Sequence, residues 1–202
     1  MVDSRHRYWH RRGYLPHFDA GGITQSVTFR LADSLPPPLR AETKALDELG
    51  RRKRVETLID EGYGSCVLRQ RVCAEIVSLA LSHFDGAHYR LLAWVVMPNH
   101  VHAMIEQMDG WPLAGIVQGW KSVSARNIGR LKGTKGTIWA ADYHDRFIRN
   151  ATHYTNAIAY IEENPVKAGL VGDARDWPFS SLGSRHPLGP RTPPSARDLD
   201  AT

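Results

Sequence analysis

Alternation of apolar and polar positions is clearest between Ile23 and Leu31 (ITQSVTFRL), where Val27, Phe29 and Leu31 fall on one side and Thr28 and Arg30 on the other. A period of two predicts a first strand. Pro36-Pro37-Pro38 stops it, after which Leu39 to Glu61 is rich in charged helix formers and Val67 to Phe84 sets Leu68, Val72, Ile76, Leu79 and Ala80 at helical spacing. Tyr89 to Val96 (YRLLAWVV) reads as a second strand, Met97-Pro98-Asn99 as a tight turn, and His100 to Glu106 (HVHAMIE) as a third strand running back against the second. Leu113 to Leu131 is a helix with Ile116, Trp120, Val123 and Asn127 on one side and a basic flank of Lys121, Arg126 and Arg130, broken by Gly133 to Gly136. Arg146 to Arg149 (RFIR) is a possible short fourth strand. Thr152 to Asn164 forms a last helix that ends at Pro165, since the residue before a proline is pushed out of the α region. The order of strand, helices, hairpin, helix, strand and helix predicts an α+β fold with a mostly antiparallel sheet.

Composition narrows the class. The 202 residues, 42% hydrophobic and 23% charged, suit one sizeable core. Lys and Arg number 26 against 21 Asp and Glu, a formal charge of +5, which leans towards a polyanionic partner. Two cysteines, Cys66 and Cys73, are too few for a disulfide framework and read as small buried apolar residues of a reducing compartment. No apolar core follows the arginines of the amino terminus, and Leu91 to Met97 is far shorter than the roughly 20 residues of a membrane helix, so the expected location is cytoplasmic. Residues 1–22 read as a basic arm in which Arg5, Arg7, Arg11 and Arg12, with Tyr8 and Trp9, suit phosphates and unstacked bases, although a solvated terminus has the same composition. Residues 23–186 are expected to form one domain and the proline-rich 187–202 a disordered tail.

His100 and His102 sit two apart in a strand, so both imidazoles leave the same face and can share a metal ion, while Val101, Ala103 and Ile105 face the other way. The same spacing also suits two structural, hydrogen-bonded histidines. On the last helix, at about 100° per residue, Tyr154, Ala157, Ile158 and Ile161 make one apolar stripe, whereas Tyr160 lies roughly 120° from its middle with His153, Asn156 and Asn164 nearby. Tyr154 therefore reads as core and Tyr160 does not; helical geometry alone leaves Tyr160 open between an ordinary half-buried tyrosine and a nucleophile.

WVVMPNHVHAMIE (Trp94 to Glu106), the WKS of Trp120 to Ser122, the run from Trp139 to Arg149, YIEENPVKAGLV (Tyr160 to Val171) and DWPFSS (Asp176 to Ser181) occur in order. Together they resemble the REP-associated tyrosine transposases, relatives of the single-tyrosine HUH transposases of small insertion sequences, over roughly Gly13 to Ser181. The resemblance implies a ferredoxin-like sheet of about four or five antiparallel strands with helices on its faces. It implies His100 and His102 as metal ligands, Asn164 as the group completing the metal shell, and Tyr160 as nucleophile. The long charged segment between the first strand and Val67 departs from a minimal member of that family and has no assigned role.

The function so implied is metal-dependent cleavage and joining of single-stranded or hairpin-forming DNA through a 5′-phosphotyrosine. Mg²⁺ or Mn²⁺ is the expected ion, although ligand types alone leave zinc open. Lys121, Arg126, Arg146 and Arg149 are candidate DNA contacts, and the protein is expected as a monomer or homodimer. Two rivals follow from the same residues: a hairpin-DNA-binding regulator that no longer cuts, and a phosphodiesterase that uses water in place of tyrosine.

Overall fold

The computed structural model describes residues 9–12, 15–18, 22–133 and 136–184. Arg5, Arg7 and the 187–202 tail lie outside them; Arg11 and Arg12 fall in a short strand, β1 (Trp9–Arg12), of which the backbone alone is described. It pairs antiparallel with β2 (Leu15–Phe18), so part of the stretch read as an arm is a hairpin.

The main sheet is built from β3 (Thr24–Arg30), β4 (Tyr89–Val96), β5 (His100–Gln107) and β6 (His144–Phe147), in the order β4-β5-β3-β6 with every neighbour antiparallel. Helices α1 (Pro37–Lys44), α2 (Glu48–Asp60) and α3 (Arg71–Ser82) separate β3 from β4, α4 (Leu113–Lys132) separates β5 from β6, and α5 (Ala151–Lys167) follows. Taken from β3 to β6, this is the ferredoxin-like order predicted by the motifs. A fifth strand is reduced to one bridge, Val95 to Ser180, where Val96 N–H donates to Phe179 O at 2.8 Å and Ser181 N–H to Trp94 O at 2.8 Å.

Alternation sorts the sheet's two faces. Val27, Phe29, Val101, Ala103 and Ile105 join Val77 and Leu81 of α3 and Ile116, Val117 and Trp120 of α4 in one core. Met104 and Val95 pack on the other face with Tyr154 and Ile161 of α5. Each buried aliphatic side chain contributes roughly 1.5–3 kcal/mol, so a one-residue slip of β5 would exchange its apolar and histidine faces at heavy cost. Tryptophans of the quoted motifs build this frame: Trp120 Nε1 donates to Tyr89 Oη at 2.8 Å, Trp139 Nε1 to Ser124 Oγ at 3.0 Å and Trp177 Nε1 to Val96 O at 3.0 Å. Among the described residues no helix is long and apolar enough to cross a membrane.

Four details depart from expectation. The charged stretch Leu39 to Glu61 is two helices, because Asp47 caps a new one by accepting from Gly50 N–H at 2.8 Å. The short edge strand is His144–Phe147, two residues earlier than its apolar pattern suggested, because its register is set by pairing with Gln25 to Thr28. Helix α5 runs through Pro165 to Lys167: the proline lies in the last turn, and its burial beside Asn164 outweighs the disfavoured backbone. Cys73 is buried as expected, but Cys66 is only half-buried and has a left-handed backbone, φ 48°, leading into the 3₁₀ turn Val67–Arg69.

Candidate active site and metal centre

His100 and His102 project from β5 towards α5 and α2, and each is only 1% exposed. The sequence anticipated their common face but not this burial. Their Nε2 atoms are 3.0 Å apart, close to the separation of two nitrogens bound to one ion at 2.0–2.1 Å. Asn99 fixes the first ring. Its Nδ2 donates to Ile59 O at 2.9 Å and Tyr63 O at 3.1 Å, which leaves Oδ1 as an acceptor for His100 Nδ1–H at 2.7 Å. With its proton on Nδ1, neutral His100 presents a lone pair at Nε2. Thr28, paired with His102 across the sheet, holds the second ring through Oγ1 and Nδ1 at 2.8 Å; its hydroxyl can donate or accept, so it suits either tautomer of His102.

A carboxylate completes the cluster. Asp60, the last residue of α2, brings Oδ1 to 3.4 Å from His100 Nε2, and one ligand atom from each of Asp60, His100 and His102 lies within 4.8 Å of the others. Two neutral imidazoles and a carboxylate converging on one point form a donor set suited to a divalent cation. Burial keeps both rings uncharged, His102 down to about 3 and His100 well below the usual histidine range, with its neighbour His102 adding to the effect. Deprotonated rings are what a metal needs.

Asp60 came from the segment without an assigned role. The signal available was its place one helical turn after Glu56, beside the apolar Val55 and Ile59. Val55, Leu58 and Ile59 pack with Leu35 in a small separate cluster, which lays α2 over the histidines. The following loop is pinned by Asp33, whose Oδ2 accepts from Ser65 N–H at 2.8 Å. Gly64, at φ +90°, passes so close that a Cβ would stand 2.7 Å from Asp33 O, so no larger residue fits there.

Partial burial, then Glu56, raise the Asp60 carboxyl to about 6, with Lys167 opposing. An acid raised to about 6 is ionised at neutral pH and takes up its proton as the pH falls through that value, and the proton competes with a metal. Mn²⁺ affinity should therefore fall between pH 7 and pH 5 with a bend near 6, by up to about tenfold per unit below it, while the depressed histidines stay neutral throughout. Calorimetric titration of Asp60→Asn should show a weaker affinity that no longer bends; an unchanged bend would remove Asp60 as its source.

Tyr160 stands edge-on to His102, ring centroids 5.3 Å apart, with Lys167 Nζ 5.0 Å from its own ring centre. Its hydroxyl is buried without a well-formed hydrogen bond. Burial above all, then the Glu56 and Asp60 carboxylates, push its pKa up, and the Asn164 amide pulls the other way. Asn164 is itself buried one turn beyond Tyr160. A cleft of about 310 Å³ opens beside the ring, lined by Ser26, Thr28, Val55, Glu56, Ile59, His102, His144, Asp145, Arg146, His153, Asn156, Ala157 and Tyr160.

The basic candidates divide. Arg146 borders this cleft, and exposed Arg149 lies near it, 5.4 Å from the centre of the Phe147 ring. Lys121 and Arg126 belong to α4, on the opposite face of the sheet. Arg126 is exposed, but Lys121 is buried and its Nζ donates to Ala141 O at 2.8 Å, so its ammonium serves the fold.

Known proteins resemble this chain in sequence and in fold. A REP-associated tyrosine transposase of Escherichia coli (strain K12) is 32% identical over 94 residues, 46% of this chain and 54% of that protein. A putative REP-associated tyrosine transposase of Haemophilus influenzae is 26% identical over 104 residues, 46% of this chain and 59% of that protein. Each match thus spans little more than half of the relative's length. A solved structure of a REP-associated tyrosine transposase bound to a REP hairpin superposes with a TM-score of 0.56 at 22% identity, covering 92% of this chain and 96% of the other, which establishes a common fold. The model of the family described as "Transposase IS200 like" matches residues 63–164, a span that takes in His100, His102 and Tyr160 and ends on Asn164, and the chain belongs to that family.

Proposed function

We propose that this protein is a metal-dependent single-strand DNA endonuclease and strand transferase that acts on hairpin-forming DNA through a 5′-phosphotyrosine at Tyr160. The observation that carries the reading is the Tyr160 ring set against His102 at 5.3 Å, beside the inward-facing donors of His100, His102 and Asp60. His100, His102 and Asp60 would hold Mg²⁺ or Mn²⁺, and Asn164, buried one turn after Tyr160, is the further ligand of this reading. Such an ion supplies Lewis acidity to the scissile phosphate and so offsets the weakness of a phenol whose pKa starts near 10. Tyr160 Oη attacks phosphorus, the bond to the 3′ oxygen breaks, and that oxygen leaves as a 3′-hydroxyl. Glu56, in the cleft and close enough to act on the phenol, is placed to take its proton. Attack of a 3′-hydroxyl on the phosphotyrosine reverses these steps and rejoins DNA without ATP. Residues 23–186 form the catalytic domain in this reading, and Arg146 and Arg149 guide the strand. Hairpin DNA as substrate takes its support from the solved relative of the same fold.

The test is to mix the protein with labelled, flanked hairpin DNA and Mn²⁺, denature, and look for label on the protein. A covalent species that chelator prevents is the expected result. Hairpin binding without any adduct would instead support the non-cutting regulator, for which the raised pKa of Tyr160 speaks, and multiple turnover without protein-linked DNA would support the water-using phosphodiesterase.

A further inference from the structure

Helix α2 is held by few apolar contacts. Its buried residues, Val55, Leu58 and Ile59, share a cluster with Leu35 that is separate from both faces of the sheet. Such a small cluster leaves the helix end poorly fixed, yet Asp60 must be held to a fraction of an ångström to act with the histidines. Asn99, 1% exposed at the tip of the β4–β5 turn, adds a constraint at the helix end itself, besides the Asp33 contact that pins the following loop. Its amide donates to Ile59 O and Tyr63 O on either side of Asp60, and its carbonyl accepts from His100 Nδ1–H. All of its capacity but one lone pair is used, and each bond concerns either a ligand or the backbone that presents one.

We propose that Asn99 is a positioning residue for the metal centre, one amide that sets the His100 tautomer and clamps the end of α2 so that Asp60 meets His100 and His102. This rests on the metal reading above. An aspartate at this position keeps the acceptor for His100 and loses both donors to α2, whereas alanine loses everything. The two roles are therefore separable by substitution.

Nitrogen-15 histidine spectra of the metal-free parent at neutral pH should show His100 protonated at Nδ1; protonation at Nε2 would overturn the proposal without any variant. Calorimetric Mn²⁺ titrations decide the clamp. Asn99→Ala should weaken binding at least about tenfold, the usual effect of removing an outer partner of a metal ligand, with thermal unfolding showing that the fold persists. In Asn99→Asp, His100 should keep its Nδ1 proton, and adding Asp60→Asn should change affinity less than about twofold, against about tenfold in the parent. Equal Asp60→Asn effects in the two backgrounds, or an Asn99→Ala affinity within about twofold of the parent, would overturn the clamp. Should Asn99→Ala not fold, the parent spectrum and the Asn99→Asp cycle still decide. A parent that takes up no Mn²⁺ would remove the metal reading and the Asp60 half of the proposal together, whereas uptake indifferent to Asn99 would remove this proposal alone.

Discussion

Tyr160→Phe should abolish covalent attachment to DNA completely and leave the folded protein as stable as the parent or slightly more so. The substitution removes one oxygen, and that oxygen is buried without a well-formed hydrogen bond, an arrangement that costs a hydroxyl about 1–3 kcal/mol relative to water. Glu56 and Asp60 push the phenol away from ionisation, so it is the neutral hydroxyl that phenylalanine replaces. Phenylalanine keeps the ring against His102 and Lys167 while shedding a buried, poorly bonded hydroxyl, so a stability change between zero and about +1 kcal/mol is expected. Activity goes the other way, because covalent transfer through this residue needs Oη, which phenylalanine lacks. Tyr154→Phe is the control: Tyr154 lies in the α5 core with Ile161, and its loss of an oxygen should leave the adduct in place. Label that stays on Tyr160→Phe would end the assignment, and a destabilisation above about 1 kcal/mol would mean that the hydroxyl is bonded in solution after all.

Much of this was legible because short periodicities constrain geometry. Alternation in Ile23 to Leu31 and His100 to Glu106 put Thr28, His100 and His102 on one face and the aliphatic core on the other, as the paired strands have it. Helical spacing distinguished Tyr154 from Tyr160: Tyr154 is buried in the α5 core, whereas Tyr160 is only partly buried against the same cluster and borders a cleft. What stayed hidden depends on contacts distant in sequence. The spacing of Val55, Glu56, Ile59 and Asp60 gives α2 one short apolar edge but does not say that Asp60 will meet residues forty positions later, because the partner of that edge and the Asn99 amide lie elsewhere in the sequence. Lys121 looked like a phosphate contact because its charge is visible in sequence, whereas the carbonyl of Ala141 that takes it is not. Likewise Trp120, Trp139 and Trp177 carry much of the family resemblance, yet their hydrogen bonds brace the frame around the site.

Loss of the metal centre should be as complete in its effect as loss of the tyrosine, and it can be read without DNA. For a ligand that binds only the folded state, stabilisation is about 2.7 kcal/mol at a concentration 100 times Kd. Saturating Mn²⁺ should therefore raise the parent's Tm by several degrees, and His102→Ala should show no such rise. The variant itself will be less stable than the metal-free parent, because a buried ring is lost and both Thr28 Oγ1 and His100 Nε2 give up a partner, at about 1–3 kcal/mol for the polar part. That penalty is why the comparison must be the Mn²⁺-induced shift within each protein and not Tm between proteins. His153→Ala supplies the contrast: His153 borders the same cleft but is no part of the Asp60, His100 and His102 cluster, so its Mn²⁺ shift should match the parent's. Cleavage should vanish in His102→Ala while hairpin binding persists, since the apolar face of β5 and the cleft arginine Arg146 are untouched. A full Mn²⁺ shift in His102→Ala would move the metal elsewhere, and loss of the shift in His153→Ala instead would relocate it to the cleft wall between β6 and α5.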